Sequence, residues 1–142
     1  MKNKFALLLA VFSILLLIAS NSFAKDMTAN DLIAEAKASV QTVSLSEAKS
    51  NLGKDGVVFL DVREPKEFKS GHLPGAINIP RGLAEFKIDK SVKNKDTKIF
   101  IYCKSGGRAL LTAANLIKMG YKNIVNIEGG WEAWMKSGYP VD

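Results

Sequence analysis

The chain has 142 residues and a formal net charge of +6, yet its 20 Lys and Arg are scattered, with no basic stripe and no interleaved aromatics to mark a nucleic-acid surface. A single cysteine excludes an internal disulfide, and a single histidine with no second histidine or cysteine beside it leaves a metal site without support. The length suits one domain with one core, and the excess of cations reads as a solvated surface that steers anions.

Lys2 and Lys4 precede an apolar run from Phe5 to Ala19, and a polar stretch then ends in Ser22-Phe23-Ala24. This layout predicts a secretory signal peptide over residues 1–24, cleaved after Ala24. A retained anchor is the competing reading, but the run falls short of the roughly 20 apolar residues that span a bilayer. The protein is therefore expected to be exported, periplasmic or extracellular, with no membrane attachment after cleavage. Residues 25–42 read as a helical extension. Thr28 caps a helix expected from Lys25 to Val40, with Asp31 three residues on and Ala29, Leu32, Ile33, Ala36 and Val40 on one stripe that packs against the domain.

Gln41 to Val43 reads as a short edge strand, and Ser44-Leu45-Ser46-Glu47 as a capping box for a helix stopping near Gly53. Val57 to Leu60 is a continuous apolar run, the pattern of a strand covered on both faces. Ile77 to Ile79, Ile99 to Tyr102 and Ile124 to Ile127 supply further strands. Between them fall a helix over Glu64 to Lys69, another beginning at Pro80-Arg81-Gly82 and continuing toward Asp89, a polar loop over Ser91 to Lys98, and a helix ending at Gly120. Gly129-Gly130 turns the chain into a closing helix whose Trp131 and Trp134 are expected in the core. Strands alternating with helices predict an α/β fold: one domain with a central, mostly parallel sheet and helices on both faces.

The chemistry gathers at Ile99-Phe100-Ile101-Tyr102-Cys103-Lys104-Ser105-Gly106-Gly107-Arg108-Ala109. A β-branched and aromatic strand runs into a glycine-rich turn, and Leu110, Ala113, Ala114 and Ile117 continue at helical spacing. Cys103 thus sits at a strand-to-helix turn, at the carboxyl end of a parallel strand where such sheets bind ligands. Backbone N–H groups from Lys104 through Ala109 can converge as a nest, and the helix dipole, Lys104 and Arg108 add positive potential. That setting suits a reactive thiolate and an anionic substrate, with Lys104, Ser105, Gly106, Gly107, Arg108 and Ala109 as the binding loop. Phosphatase-type loops carry one more residue between cysteine and arginine, so this smaller ring fits a transferred sulfur atom better than a phosphoryl group. Asp61 and Arg63 either shape and charge the rim of the site or form a salt bridge that fixes the helix after them. Arg81 could reach a bound anion, though simple exposure is its default.

The loop, together with Leu60-Asp61-Val62-Arg63-Glu64, Glu67-Phe68, Gly71-His72-Leu73-Pro74-Gly75-Ala76-Ile77-Asn78-Ile79-Pro80, Glu128-Gly129-Gly130-Trp131, Trp134 and Gly138-Tyr139-Pro140, resembles the single-domain rhodanese (thiosulfate sulfurtransferase) family. The resemblance runs from Val43 to the C-terminus, making 43–142 a rhodanese domain. It implies that His72 serves its turn as a structural residue, and that Asp61 and Arg63 are mostly architectural. It also implies covalent sulfur transfer through a Cys103 persulfide. The donor would be thiosulfate or a similar anionic sulfane compound, and the acceptor cyanide or a thiol. No cofactor is implied, since the sulfur rides on the enzyme, and a monomer suffices. Two other readings stay open: a phosphatase or arsenate reductase using the same cradle, and a non-catalytic binding module.

Overall fold

A computed structural model describes residues 26–142; the expected leader over 1–24 and Lys25 lie outside the described residues. Helix α1 (Ala29–Ser39) begins where Thr28 and Asp31 close a full capping box. The Thr28 hydroxyl accepts from the Asp31 N–H at 3.2 Å, and the Asp31 carboxylate accepts from the Thr28 N–H at 2.9 Å. Strand β1 (Gln41–Val43) leads to α2 (Leu45–Ser50), where only half of the expected box forms. Ser44 Oγ accepts from the Glu47 N–H, while the Ser44 hydroxyl faces Ser46 Oγ at 3.0 Å and the Glu47 carboxylate does not return the bond.

Strand β2 (Val57–Asp61) runs one residue beyond its apolar stretch, and α3 (Pro65–Lys69) follows with Glu64 as its N-cap. Strand β3 (Ile77–Asn78) is the far edge of the sheet. The stretch expected as one helix from Pro80 is two pieces, a 3-10 turn over Arg81–Leu83 and then α4 (Ala84–Ser91). Strand β4 (Lys98–Tyr102), α5 (Gly107–Lys118), β5 (Ile124–Ile127) and α6 (Gly130–Lys136) complete the chain. Ser91 closes α4 and Lys98 opens β4, so the polar connection is shorter than its composition suggests.

The five strands lie in the order β1-β5-β4-β2-β3, every neighbouring pair parallel. This single α/β domain has β4 at its centre, which explains why that strand reads as an unbroken apolar run. Ile99, Ile101 and Cys103 face a core shared with Ala36 and Val40 near the end of α1, Ile88 of α4, and Ala109, Ala113 and Leu116 of α5. Phe100 and Tyr102 face the opposite core with Phe59, Val125, Ile127 and Trp134, and the Phe59 and Phe100 rings stack at 5.0 Å. Trp134 is fully buried as expected, its Nε1 donating to Pro140 O at 2.9 Å, whereas Trp131 is only half-buried. The sheet order leaves the carboxyl end of β4 between those of β2 and β5, and Cys103 is the next residue.

Candidate active site

Cys103 leaves the sheet where the chain must turn back into α5. Gly106 makes that turn with φ of +111°, a region that disfavours side-chain-bearing residues, and its N–H points at Cys103 Sγ at 3.1 Å. Cys103 is 1% exposed, far more enclosed than a Lys-Ser-Gly-Gly-Arg loop implies, so the loop backbone rather than open solvent surrounds its sulfur. Behind the loop, Trp131 N–H donates to Cys103 O at 2.9 Å and Glu132 N–H to Lys104 O at 3.0 Å. A Cβ on Gly130 would lie 2.5 Å from Cys103 O. The first turn of α6 therefore clamps the cysteine loop from the rear, which gives Gly129-Gly130 a task beyond turning the chain.

The two cations expected to supply free positive charge are both partnered. Arg108 grips Glu67 of α3 with two charge-assisted bonds, Nη1 to Oε2 at 2.7 Å and Nη2 to Oε1 at 2.9 Å. Lys104 lies 3.4 Å from Glu132, with both side chains more than half exposed. The loop is thus less positive than its composition suggests, and Arg108 is a fixed strut rather than a roaming charge. The Arg108 hydrogen bonds hold the Glu67 carboxyl at about 2, well below the ordinary 4.5. Glu67 in turn raises Arg108 further above its ordinary range, with a lesser contribution from Cys103. Glu67 and Gly130 are the residues that loop-centred reasoning missed as site members. Both stand in the motifs quoted above, Glu67-Phe68 and Glu128-Gly129-Gly130-Trp131, but nothing local ties either to Cys103.

Asp61 and Arg63 turn inward and act architecturally. The Arg63 guanidinium and its own N–H both donate to the Asp61 carboxylate, with the shortest contact 2.6 Å and the two residues 0% and 2% exposed. Burial opposes the Arg63 charge, but the hydrogen bond and field of Asp61 outweigh it and raise the guanidinium pKa. Arg63 Nη2 also donates to Gly71 O at 2.8 Å, and the guanidinium lies 4.5 Å over the Trp131 ring, tying the end of β2 to the next turn and to α6. Beside it the Tyr102 hydroxyl, its pKa pushed up by burial, accepts from the Leu73 N–H at 3.1 Å. His72 serves its turn, Nδ1 donating to Phe68 O at 3.0 Å while its ring stacks on Phe68 and its backbone exchanges bonds with Asp142. Arg81 is exposed, and its N–H is spent on Val62 O. Among the described residues no three His, Cys, Asp or Glu gather as a metal-ligand set, and no helix is long and apolar enough to cross a membrane.

Residues 44–137 match the model of the rhodanese-like domain family. A sulfurtransferase of Allochromatium vinosum is 31% identical over 102 residues, covering 72% of this chain and 92% of that protein. Thiosulfate sulfurtransferase 16 of Arabidopsis thaliana, a chloroplast protein, is 36% identical over 93 residues, covering 58% and 78% respectively. A solved structure from Rhodopseudomonas palustris, described as a protein of unknown function and possible tyrosine phosphatase, superposes with a TM-score of 0.76 at 32% identity over 82% of this chain and 95% of that one. The parallel sheet, the cysteine loop at the end of its central strand and the match over residues 44–137 agree, and the chain belongs to the rhodanese-like family.

Proposed function

We propose that this protein moves a sulfane sulfur through Cys103 in two steps, from thiosulfate or a similar anionic donor to cyanide or a thiol. Sulfur transfer is the general kind of reaction its relatives are named for. The observation that carries the reading is the Cys103 thiol closed within a four-residue ring up to Arg108, with a backbone N–H aimed at the sulfur from 3.1 Å. In the first step the Cys103 thiolate attacks the outer sulfur of thiosulfate. The new Sγ–S bond forms as the donor's S–S bond breaks, and the electron pair leaves with sulfite. The persulfide anion then lies against the N–H groups of Lys104 through Ala109, placed before the charge develops. Arg108, braced by Glu67, fixes the far end of the ring and presents a partly neutralised positive charge. In the second step cyanide or a thiolate takes the outer sulfur, and Cys103 leaves as thiolate.

Phosphoryl or arsenate chemistry on the same cradle is the second reading, motivated by the solved relative described as a possible phosphatase. The ring here is one residue shorter than in phosphatase-type loops, which favours sulfur. Cys103→Ser should abolish sulfur transfer while the circular dichroism and melting curve stay those of the parent. Appreciable transfer by the folded Cys103→Ser variant, or release of phosphate from an aryl phosphate by the parent, contradicts the assignment. We further propose, on the charged, apolar and small-residue pattern of residues 1–24, that the working form is exported. An N-terminus beginning at Lys25 on the protein recovered outside the cytoplasm is the expected result, and an uncleaved cytoplasmic form overturns it.

A further inference from the structure

Helix α1 lies outside the residues 44–137 that match the family model, yet one of its side chains bears on the Cys103 loop. Gly107 opens α5, next to the Gly106 whose N–H faces Cys103 Sγ at 3.1 Å. A Cβ on Gly107 would stand 3.1 Å from Ile33 Cδ1 and 3.8 Å from its Cγ1. Beyond its own helix and chain neighbours, nothing else among the described residues comes within 4 Å of that point. Unlike Gly106, Gly107 has no positive φ, so its backbone would accept alanine, the better helix former. What the position does not accept is the methyl group, because Ile33 already holds that space.

The helix is built to hold that contact in place. Ile33 follows the Thr28–Asp31 capping box and precedes the buried Ala36 and Val40, so α1 is anchored on both sides of it. A β-branched side chain in a helix keeps essentially one χ1 rotamer, so the backbone of α1 sets where its tip falls. Ile33 and Gly107 both border a cleft of about 340 Å³ between α1 and the loop, which leaves the first turn of α5 room to shift once Ile33 is shortened. The loop is thus held from both faces of the sheet. The first turn of α6 binds the Cys103 and Lys104 carbonyls on the face of Trp134, and α1 backs Gly107 on the face of Ile99 and Ile101.

We propose that Ile33 is a positioning residue of the sulfur-transfer site, bearing on Gly107 so that the Gly106 N–H stays aimed at the sulfur. By this contact α1 is a working part of the enzyme and more than a cover for the core. The role rests on the sulfur-transfer reading. With Ile33 shortened, the turn at Gly106 and Gly107 drifts toward the cleft, and the N–H that steadies the thiolate and the persulfide is the first group to lose its aim. Donor binding is spread over the rest of the loop and changes little, so the loss falls on the rate at saturation.

Intact mass followed over time gives the rate of sulfur loading at saturating thiosulfate and the half-saturating concentration, and amide exchange reads the loop directly. Ile33→Ala should load about tenfold more slowly at saturation, with the half-saturating concentration within about twofold of the parent's. Its Gly106 and Gly107 amides should exchange faster. Gly107→Ala alone, crowded against Ile33, should also slow loading. Added to Ile33→Ala, it returns a methyl group to the vacated space and should bring the rate back to within about threefold of the parent. Val40→Ala is the control for lost packing, since Val40 is 4% exposed and precedes β1 at the amino end of the sheet, away from Cys103. It should melt at least as early as Ile33→Ala yet load at the parent rate. Should Ile33→Ala fail to fold, Ile33→Val, which removes only Cδ1, should slow loading about threefold and carries the same test. Parent-like loading in the folded variant, equal slowing in Val40→Ala, or no rescue by Gly107→Ala overturns the role. A parent protein that takes up no sulfur from thiosulfate overturns the transfer reading and this role with it, whereas sulfur uptake that Ile33→Ala leaves unchanged overturns the role of Ile33 alone.

Discussion

Gly130 is the position where a single methyl group should separate the fold from the function. Its φ is +58°, and an added Cβ would stand 2.5 Å from Cys103 O and 3.0 Å from Lys104 O. The left-handed conformation costs a non-glycine residue about 1–2 kcal/mol. The contact with Cys103 O cannot persist, so α6 and the cysteine loop must part. That parting weakens the two bonds joining them, Trp131 N–H to Cys103 O at 2.9 Å and Glu132 N–H to Lys104 O at 3.0 Å. Each is worth about 0.5–1.5 kcal/mol, so Gly130→Ala should lose roughly 3 kcal/mol in all. Gly138→Ala is the matched control, because Gly138 has φ of +65° with nothing within 4 Å of its Cβ position and bears only the backbone cost. Urea melts of both variants, with the rate of sulfur loading from thiosulfate followed by intact mass, read the two effects separately. Gly130→Ala should fall by about 2 kcal/mol more than Gly138→Ala and load sulfur ten- to a hundredfold more slowly, since the loop that positions the thiol has moved. Equal losses of stability and unchanged loading in both variants would refute the clamp.

Other outcomes follow from the charged and aromatic contacts. Glu67 titrates at about 2 in the fold against an ordinary 4.5, so its stabilising contribution is complete above pH 4.5 and is lost as the pH falls toward 2. Glu67→Gln should therefore be less stable at pH 7 by about 1 kcal/mol, this being a partly exposed pair, and acid melts of the two proteins should converge near pH 2. A constant gap at every pH would show that the ion pair is not the cause. Asp61→Asn leaves the 2% exposed Arg63 buried without its counter-charge and should cost about 3–5 kcal/mol, read as a large drop in the urea midpoint; a loss under 1 kcal/mol contradicts the inward, architectural role. Trp134→Phe removes the Nε1 bond to Pro140 O and part of a filled core, and should cost about 1–2 kcal/mol by urea melt. Faster amide exchange at Asp142, whose N–H pairs with His72 O, should accompany it; an unchanged tail would disconnect the two.

What the sequence made legible was the part governed by local pattern. Val57 to Leu60 and Ile99 to Tyr102 read as strands because burial on both faces demands unbroken apolar runs, and Thr28 with Asp31 announces α1 because capping acts within one turn. Cys103 was legible for the same reason, since strand, glycine turn and helix are adjacent in the chain. What was hidden depends on distance along the chain. The partner of Arg108 lies 41 residues away, so a cation in a loop looked free when it is held. Ser44 and Glu47 match the capping-box spacing, yet only the Ser44 half forms. Asn126 sits within a run of Ile and Val that reads as plain strand, and only the packed sheet reveals an amide oxygen without a partner among the described residues.

The most direct test of the account is the intact mass of the purified protein before thiosulfate, after thiosulfate and after subsequent cyanide. The account predicts a gain of about 32 Da, one sulfur, confined to Cys103 and removed by cyanide with the thiol restored. A folded protein with a free Cys103 thiol that gains no sulfur would contradict it.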